Sequence, residues 1–443
     1  MIKTLLIVGA GSRGLTVYAA FAQERPDLYR VVAVAEPRTW HREETARLHG
    51  LQPPQMFADW KEVATRPKLA DAVIIATQDH DHVEPALAFM ELGYDVLLEK
   101  PMDTGPEGCR RLVEAAEAHQ KLLVVAHVLR YTPYFRLMKS VVDSGLIGQI
   151  VTLRHMEPVH YWHQAHSFVR GNWRRQDTSA PMIVAKSCHD MDLFVYLLGR
   201  HCLRLSSFGS LSHFRAESRP PQATERCLDC PLSGQTPGAE ICPYSATQYY
   251  LGMVDGGYTG WPVDVLSPDV SRDGITRALR EGPYGRCVYH CDNDVVDHQV
   301  VAMEFSEGVT ATFTMTAFTE HRWRETEVLG SHAQLQGDGQ YLRLTCFGAG
   351  PRVPLPEGAQ PGSKKGEWVW DTQDPALLKG HGGGDQGLME EFHRALCDRE
   401  AALKNPLLDA RQSLQSHLMA FAAERARLEG RVVEVDPQGQ PAR

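Results

Sequence analysis

The chain has 443 residues, of which 43% are hydrophobic and 23% are charged; this is ordinary for a folded globular protein and excludes a disordered or collagen-like chain. The length exceeds one average domain, so we expect two domains of unequal size. A formal net charge of -9 and a pI near 6.1 argue against a nucleic-acid partner, because binding to a phosphate backbone needs a concentrated basic face.

Membrane and export signals are missing from the sequence as given. No stretch reaches the roughly 20 apolar residues of a membrane span, and the N-terminus enters a strand-like run without the pattern of a signal peptide. We therefore expect no membrane partner and a cytoplasmic location. Ten cysteines in a chain of this size favour free thiols, with room for one metal site, over a disulfide framework.

Short apolar runs alternate with helix-like segments through the first part of the chain. The runs predict strands, and segments such as 82–92 and 105–119 predict helices between them. Continuous apolar strands that alternate with helices are typical of a parallel sheet covered on both faces. The sequence therefore predicts an α/β fold whose N-terminal domain, residues 1–128, is a doubly wound Rossmann sheet. The predicted strands are KTLLIV (3–8), RVVAVAEP (30–37), DAVIIAT (71–77), DVLLEKP (95–101) and KLLVVAHV (121–128).

The pattern changes after residue 128. A helix-like piece (133–144) and a strand-like VTLRHME (151–157) are followed by VVAMEFS and VTATFTMTAF, in which apolar and polar residues alternate. Such alternation predicts an antiparallel sheet with two unlike faces. We expect residues 129–443 to form an α+β substrate domain with a large, mostly antiparallel sheet. Because such a sheet can pack between subunits, a homodimer or homotetramer is expected.

Two further features belong to this second domain. Gly, Pro and Ser crowd the stretch from Gly348 to Gly366, which predicts a surface loop, and helices are predicted over 386–401 and 405–429. The glycines, histidine and aspartate of Gly380–Asp385 suit a segment that closes over a polar ligand. An equally good interpretation is that Asp385 simply caps the following helix.

A glycine-rich loop follows the first predicted strand directly. Its sequence GAGSRG fits G-x-G-x-x-G, in which glycines permit a tight turn and let backbone N–H groups approach a pyrophosphate. The helix N-terminus after it favours an anion. Glu36, at the end of the second strand, suits the ribose hydroxyls of NAD and would repel the extra phosphate of NADP, although the nearby Arg38 leaves NADP open. NAD is therefore the predicted cofactor, with contacts from Gly9, Gly11, Ser12, Arg13, Gly14 and Glu36.

A lysine stands where another apolar strand ends. The motif Glu99-Lys100-Pro101 places Lys100 at the carboxyl edge of the sheet, where ligands of open α/β folds bind. An amine beside a hydroxyl can take up its proton or polarise the resulting carbonyl. A lone lysine after a strand is more often merely solvated, but this position in the sheet favours a functional role.

The order of these motifs resembles the Gfo/Idh/MocA family of sugar oxidoreductases, named for glucose-fructose oxidoreductase and inositol dehydrogenase. The resemblance rests on GAGSRG, AVAEP, ATQDHDH, LLEKP, the RY...SGLIGQI stretch (130–150) and KSCHDMD; it is close over the Rossmann half and looser beyond it. It implies an NAD-dependent enzyme that acts on a sugar, a sugar derivative or a glycoside. It also implies that Lys100 is catalytic. The further residues that it implies are Thr77, His82 and Glu99 near the cofactor, and Arg130 and Tyr131 at the entry to the substrate domain.

The second-domain signature of this family, D-x-G-x-H-x-x-D, is altered here. His189 and Asp192 match its last two members, which implies a catalytic role for His189 and a substrate-side role for Asp192. The leading aspartate is replaced by Ala185 and the glycine by Ser187, with Lys186 between them. The aspartate of the proton relay is therefore missing, and a lysine stands beside its position.

The altered signature leaves three functions open. In a dehydrogenase, Lys186 would share the acid–base work with Lys100 and His189. The family resemblance also includes NAD-dependent glycosidases, which oxidise C3 transiently, eliminate the aglycone and return the hydride. Those enzymes carry a proton-transferring tyrosine three positions before the histidine, the spacing at which Lys186 stands, so a redox-neutral glycosidase is the alternative. A non-catalytic NAD-sensing regulator is the third function.

Aromatic and hydrogen-bonding side chains crowd residues 160–174 (HYWHQAHSFVRGNWR). Such a mixture suits a sugar, because aromatic faces meet C–H patches while polar groups meet hydroxyls. The arginines could instead receive an anionic substituent, since guanidinium groups bind carboxylates bidentately. The histidine spacing is less well suited to metal because no carboxylates flank it. The predicted substrate contacts in this segment are His163, His166, Arg170 and Trp173.

The strongest metal signal lies in a cysteine-rich insertion at about 215–292. Cys227 and Cys230 form a C-x-x-C turn, which places two thiolates on one ion, and Cys242 follows in a Pro- and Gly-rich stretch. The fourth ligand is Cys287 or Cys291, with Cys287 preferred. We expect a structural zinc ion that staples a loop with little regular structure; reduced, unligated thiols are the main alternative.

Overall fold

The computed structural model describes residues 1–234, 240–348, 350–372 and 381–435. Its first sheet has six parallel strands in the order β3-β2-β1-β4-β5-β6, the arrangement of a doubly wound Rossmann fold. The predicted N-terminal fold is therefore confirmed. The strands are β1 (Lys3–Val8), β2 (Tyr29–Ala35), β3 (Met56–Phe57), β4 (Ala72–Ile75), β5 (Asp95–Leu98) and β6 (Leu123–Val125).

The second sheet has ten strands in the order β14-β15-β13-β12-β11-β7-β10-β9-β8-β16. All neighbours in it pair antiparallel except β7 and β10, which run parallel. The expectation of a large, mostly antiparallel sheet is confirmed. The strands are β7 (Ile150–Pro158), β8 (Cys202–Ser210), β9 (His298–Phe305), β10 (Thr310–Thr316), β11 (Glu325–Gly330), β12 (Ala333–Gly337), β13 (Tyr341–Cys346), β14 (Gln360–Pro361), β15 (Glu367–Asp371) and β16 (Val433–Glu434).

Helices cover both sheets. In the first half they are α1 (Ala20–Glu24), α2 (Thr39–His49), α3 (Trp60–Ala64), α4 (Val83–Glu91), α5 (Pro106–Ala118) and α6 (Pro133–Asp143). In the second half they are α7 (Tyr161–His163), α8 (Met182–Ala185), α9 (Cys188–Leu198), α10 (Gly252–Asp255), α11 (Arg272–Glu281), α12 (Gly384–Cys397), α13 (Arg399–Ala402) and α14 (Ala410–Glu429). π-helical turns precede α1 at Ser12–Ala19 and follow α7 at Gln164–Arg170. Among the described residues, no helix is long and apolar enough to cross a membrane.

The parallel sheet is buried on both faces, as its apolar strands require. Leu6 and Val8 of β1 face one core, which continues into the second sheet, and Leu5 and Ile7 face another. The second core includes Leu388, Met389 and Phe392 of α12. A helix from the C-terminal part of the chain therefore covers one face of the Rossmann sheet.

The second sheet buries one face and exposes the other. Along β9 the side chains of Val301, Met303 and Phe305 are buried, whereas Val300 is 43% exposed. Helices α9 and α14 pack against each other beside this sheet, and α14 also contacts β8 and α5. The C-terminal helix thus lies between the two sheets.

The cysteine-rich insertion is more regular than expected. It contains α10, α11 and several short helical turns. Ala246, Tyr250, Val263, Ile275 and Leu279 form a small separate core within it. Burial of these apolar side chains therefore stabilises the insertion, whereas the sequence prediction assigned its stability to a metal ion alone.

Candidate active site

The glycine-rich loop is a close-fitting turn at the carboxyl end of β1. Gly9 has φ +84°, and a Cβ there would lie 2.5 Å from the carbonyl oxygen of Ala76. A Cβ on Gly14 would lie 1.9 Å from the carbonyl oxygen of Gly9, so a side chain at either position would collide with backbone. Gly11 precedes the π-helical turn, and Ser12 is exposed at its start. The loop presents backbone where a pyrophosphate approaches closely, so its residues fit a dinucleotide.

Glu36 lies beside this loop with its carboxylate fully hydrogen-bonded. It accepts hydrogen bonds from the backbone N–H of Ala10 (2.7 Å) and of Arg38 (2.9 Å), and Arg38 Nε donates a third (2.7 Å). Glu36 is 2% exposed, whereas the Arg38 side chain is 53% exposed. The largely exposed guanidinium of Arg38 therefore covers the carboxylate that the sequence analysis assigns to the ribose of NAD.

Arg13 and Glu99, both predicted to contact the cofactor, bind each other. Glu99 also accepts a hydrogen bond from the hydroxyl of Tyr18, and Arg13 Nη2 donates to Tyr18 (2.9 Å) and to Asp385 of α12 (2.8 Å). The helix-cap interpretation of Asp385 is wrong, because the N-cap of α12 is Gly383 and no side chain caps this helix. The carboxylate of Asp385 instead joins α12 to the glycine loop. The Arg13 side chain keeps 26% of its surface exposed.

The turn that carries Lys100 is held from three sides. Its own backbone N–H donates to Glu99 Oε2 (3.0 Å), the ring Nδ1 of His82 lies 2.7 Å from the oxygen of Pro101, and the N–H of Met102 donates to His417 Nε2 of α14 (2.9 Å). His82 and His417 are fully buried. His82 thus supports the turn through its contact with Pro101. Thr77, two residues after β4, is half-buried and donates a hydrogen bond to the oxygen of Asp81 (3.0 Å).

Three titratable side chains meet above this turn. Lys100 Nζ donates to the carbonyl oxygen of Ala185 (3.0 Å), which fixes the amine beside Lys186 and His189. Burial, followed by the charge of Lys100, lowers the pKa of His189 well below its ordinary value. Its ring is therefore neutral at pH 7. Its Nδ1 is enclosed by protein and has no hydrogen-bond partner among the described residues.

Lys186 belongs to a buried ion network. Its Nζ lies 3.3 Å from Glu157 Oε1, and Arg324 Nη2 lies 2.7 Å from Glu157 Oε2. Burial lowers the pKa of Lys186, with Arg324 acting in the same direction and Glu157 in the opposite one. Arg324 also binds Asp190 (2.6 Å), and His155 contacts the same carboxylate (3.1 Å). The network thus holds a lysine that loses its proton more readily than a solvated one.

His163, from the aromatic segment 160–174, lies beside the group formed by Lys100, Lys186 and His189. It is half-buried, and burial followed by the charge of Lys186 lowers its pKa well below the ordinary value. The structure thus brings Lys100, Lys186, His189 and His163 together. It leaves the other residues predicted to bind substrate outside this group.

Arg130, Tyr131 and Asp192 are packed in the interior. Arg130 and Asp192 form a bidentate pair with two bonds of 2.6 Å, and each side chain is 1% exposed. The hydroxyl of Tyr131 donates to the oxygen of Leu407 (3.0 Å). These residues join the domain boundary to the turn before α14.

The remaining three predicted contacts point toward other elements. His166 bonds Tyr250 of the insertion (2.6 Å), and burial with the charge of Arg170 lowers its pKa to about 3. Arg170 donates to the oxygens of Arg286 and Tyr244 (2.7 Å each). Trp173 Nε1 donates to Asp79 (2.9 Å), which ties the second domain to the loop after β4.

Comparison with known proteins decides the family. Residues 3–127 match the Gfo/Idh/MocA oxidoreductase family, NAD-binding Rossmann fold, and residues 139–435 match its C-terminal alpha/beta domain. The chain belongs to this family. Together the two matches cover most of the sequence, and the resemblance drawn from the motifs is confirmed.

Its relatives include dehydrogenases. YteT of Bacillus subtilis (strain 168) is 22% identical over 404 residues, 88% of each chain. Inositol 2-dehydrogenase of Klebsiella pneumoniae (strain 342) is 29% identical over 195 residues, 43% of this chain and 54% of that protein. The structure of a levoglucosan dehydrogenase in complex with NADH and levoglucosan superposes with a TM-score of 0.67 at 18% identity, over 98% of this chain and 100% of that one.

Several residues that contact Lys186 or the turn at Lys100 escaped the sequence analysis. Glu157 is the next-to-last residue of β7 and fits an ordinary strand pattern. Arg324 lies in a charged stretch whose composition is typical of an exposed loop. Neither carries a local motif, because each acts through partners far away in sequence. Nothing in the helical pattern of α14 indicates that His417 contacts the turn at Lys100.

The predicted zinc site is not present as a formed coordination shell. In the described ranges, no group of three or more His, Cys, Asp or Glu side chains is arranged to hold a metal ion as it stands. The four predicted ligands nevertheless line one small cavity: Cys227, Cys230, Cys242 and Cys287. Cys291 does not line it, and its thiol lies 3.3 Å from the oxygen of Cys287.

Proposed function

We propose that this chain is an NAD-dependent oxidoreductase that transfers a hydride between the nicotinamide and a hydroxyl carbon of a sugar or sugar derivative. One observation carries the proposal. Lys100 meets Lys186 and His189 from the second domain. It follows the carboxyl end of β5, the edge of the sheet at which the glycine loop also lies. A sugar bound between the domains would contact all three.

The residues of this chain would handle binding and protons. When bound, NAD supplies the carbon that accepts or returns the hydride. Glycines 9, 11 and 14 and Ser12 would bind its pyrophosphate, and Glu36 its ribose. Lys100 takes the hydroxyl proton of the substrate. His189, whose neutral ring lies close to Lys100, orients that hydroxyl.

Lys186 is proposed to replace the missing aspartate of the family signature. Burial lowers its pKa below that of a solvated lysine, which favours a proton acceptor, and Glu157 accepts its hydrogen bond when it is charged. His163 would contact another hydroxyl of the substrate. The names of the inositol and levoglucosan dehydrogenases support a polyhydroxylated substrate.

The primary test measures NADH absorbance with the purified chain across inositols, free sugars and anhydrosugars. We expect steady NADH formation with at least one of them. Lys100→Ala should lower kcat by roughly 100-fold or more and leave the Kd for NAD unchanged, whereas Lys404→Ala, at an exposed site, serves as the control. Activity of Lys100→Ala near wild type would remove this lysine from the mechanism.

The same panel includes aryl glycosides, which test the redox-neutral glycosidase. Release of aglycone without net NADH would replace the dehydrogenase with that activity. Tight NAD binding without turnover of any compound would favour a regulator. NADP is tested in parallel, because Arg38 lies beside the Glu36 carboxylate and could bind the extra phosphate of NADP. We expect a lower KM for NAD than for NADP.

The assembly is proposed to be a homodimer or homotetramer formed through the exposed face of the second sheet. Val151, Phe208 and Val300 on that face are 56%, 68% and 43% exposed. Light scattering after size exclusion should give a mass of two or four chains. A monomer at micromolar concentration would reject this assembly.

A further inference from the structure

The cavity lined by four cysteines lies outside the proposed active site and is too small for a substrate. The space open to the centre of a water-sized sphere is about 20 Å³, which is room for one water molecule or one ion. Arg170, Cys227, Cys230, Cys242 and Cys287 are among the residues that line it.

Backbone hydrogen bonds hold the three cysteine segments around this cavity. The N–H of Cys230 donates to the oxygen of Cys227 (3.3 Å), so the C-x-x-C segment is a closed turn. The N–H of Cys287 donates to the oxygen of Glu225 (2.8 Å), and Arg226 and Arg286 form an antiparallel bridge, so Cys227 and Cys287 lie diagonally across this bridge. The N–H of Cys242 donates to Leu232 (2.9 Å). The backbone, and not only the sequence spacing, therefore brings four cysteines around one cavity.

A buried cation faces the same cavity without an acidic partner. Arg170 is 3% exposed, and its Nη2 lies 3.6 Å from Cys227 Sγ. Its other bonds go to the neutral oxygens of Arg286 and Tyr244. Within the part of the chain that the structure describes, Arg170 makes no ion pair with a carboxylate. A buried charge without a counter-charge is costly, and four neutral thiols cannot supply one.

We propose that the four cysteines bind one zinc ion as thiolates and that Arg170 neutralises part of the resulting charge. Zn²⁺ with four thiolates has a net charge of -2, which gives Arg170 the counter-charge that its surroundings lack. The four protons of the thiols pass to solvent on binding. Binding requires the sulfur atoms to turn inward from their present positions to Zn–S distances of about 2.3 Å.

The site would brace the segment that leads to the active site. Arg170 ends the π-helical turn Gln164–Arg170, which follows His163 directly. Zinc would therefore fix one end of this segment while His163 lies at the other end, beside Lys186. Its role is structural, because the cavity is separate from the cluster around Lys100.

The first experiment measures metal in the full chain purified without a metal-affinity step. We expect about one zinc per chain by elemental analysis, and X-ray absorption at the zinc edge should give four sulfur neighbours at about 2.3 Å. These measurements use the wild-type protein, so they do not depend on whether variants fold. A zinc-free chain that takes up no zinc on addition, a shell with nitrogen or oxygen ligands, or iron with acid-labile sulfide would overturn the proposal.

Variants identify the ligands. Cys227→Ser, Cys230→Ser, Cys242→Ser and Cys287→Ser should each lose zinc, whereas Cys291→Ser, next to the cavity but outside its lining, should retain it. If Cys287→Ser retained zinc and Cys291→Ser lost it, this ligand set would be refuted.

Arg170→Met tests the counter-charge. Zinc affinity, measured by competition with a chromophoric chelator, should fall about 10- to 100-fold, the usual effect of losing an outer partner of a metal site. Arg174→Met, which removes an arginine paired with Asp292, is the matched control and should leave zinc affinity unchanged. Equal affinities in the two variants would show that Arg170 does not act on the metal.

Discussion

Replacing Arg130 by methionine should destabilise the protein rather than weaken substrate binding. The guanidinium and the Asp192 carboxylate are each 1% exposed and share two bonds of 2.6 Å. Arg130→Met leaves a carboxylate buried without its partner, which costs about 3–5 kcal/mol. For a chain of 443 residues, an unfolding entropy of about 2.1 cal/mol/K per residue converts this loss into a Tm lower by roughly 3–6 °C.

The assay combines thermal unfolding with steady-state kinetics. The double variant Arg130→Met/Asp192→Asn removes both charges and should recover about 1 kcal/mol or more of the loss. The KM for substrate should change by less than twofold in any variant that is still folded. If Arg130→Met melts within about 1 °C of the wild type while the KM rises tenfold, the pair is open to ligand and the argument from burial is wrong.

Three other substitutions test the loop, the acid–base pair and the link between domains. Gly14→Ala forces a Cβ against the oxygen of Gly9 and should weaken NAD binding at least tenfold by calorimetry; an unchanged Kd would contradict the close fit. The rate of oxidation should rise with pH as Lys186 loses its proton, and Glu157→Gln should move this rise to lower pH, since that carboxylate raises the pKa of Lys186; a shift to higher pH in the pH profile of kcat/KM would reverse the assigned sign. Arg13→Gln breaks the bonds to Glu99 and to α12 and should lower the Tm by a few degrees, and a Tm equal to wild type would show that this link carries no stability.

The sequence indicated the sheets and the place of the site, because both depend on local patterns. Continuous apolar runs predicted five of the six Rossmann strands, and the missing one, Met56–Phe57, has two residues. Lys100 and Lys186 were found from short motifs beside the ends of elements. Cys287 lines the cavity of the insertion and Cys291 does not; the zinc ion and its fourth ligand stay predictions.

Long-range pairing was the part that local patterns could not predict. Arg13 stands in the glycine motif, yet its partner Asp385 is 372 positions away. Arg130 and Asp192 look like polar residues for a pocket, and only the folded chain shows that each satisfies the other. An ionisable side chain in a sequence carries no sign of whether it faces solvent, ligand or a buried counter-ion.

The hydrogen bond from Met102 to His417 makes the position of Lys100 dependent on helix α14. The two residues are 315 positions apart, so the turn at Lys100 gains this bond only when α14 packs against the Rossmann half. A C-terminal truncation that spares every motif would still leave the lysine misplaced, and so would a nascent chain that pauses before α14. The position of Lys100 therefore depends on the packing of α14, although no motif of the Rossmann half gives any sign of that dependence.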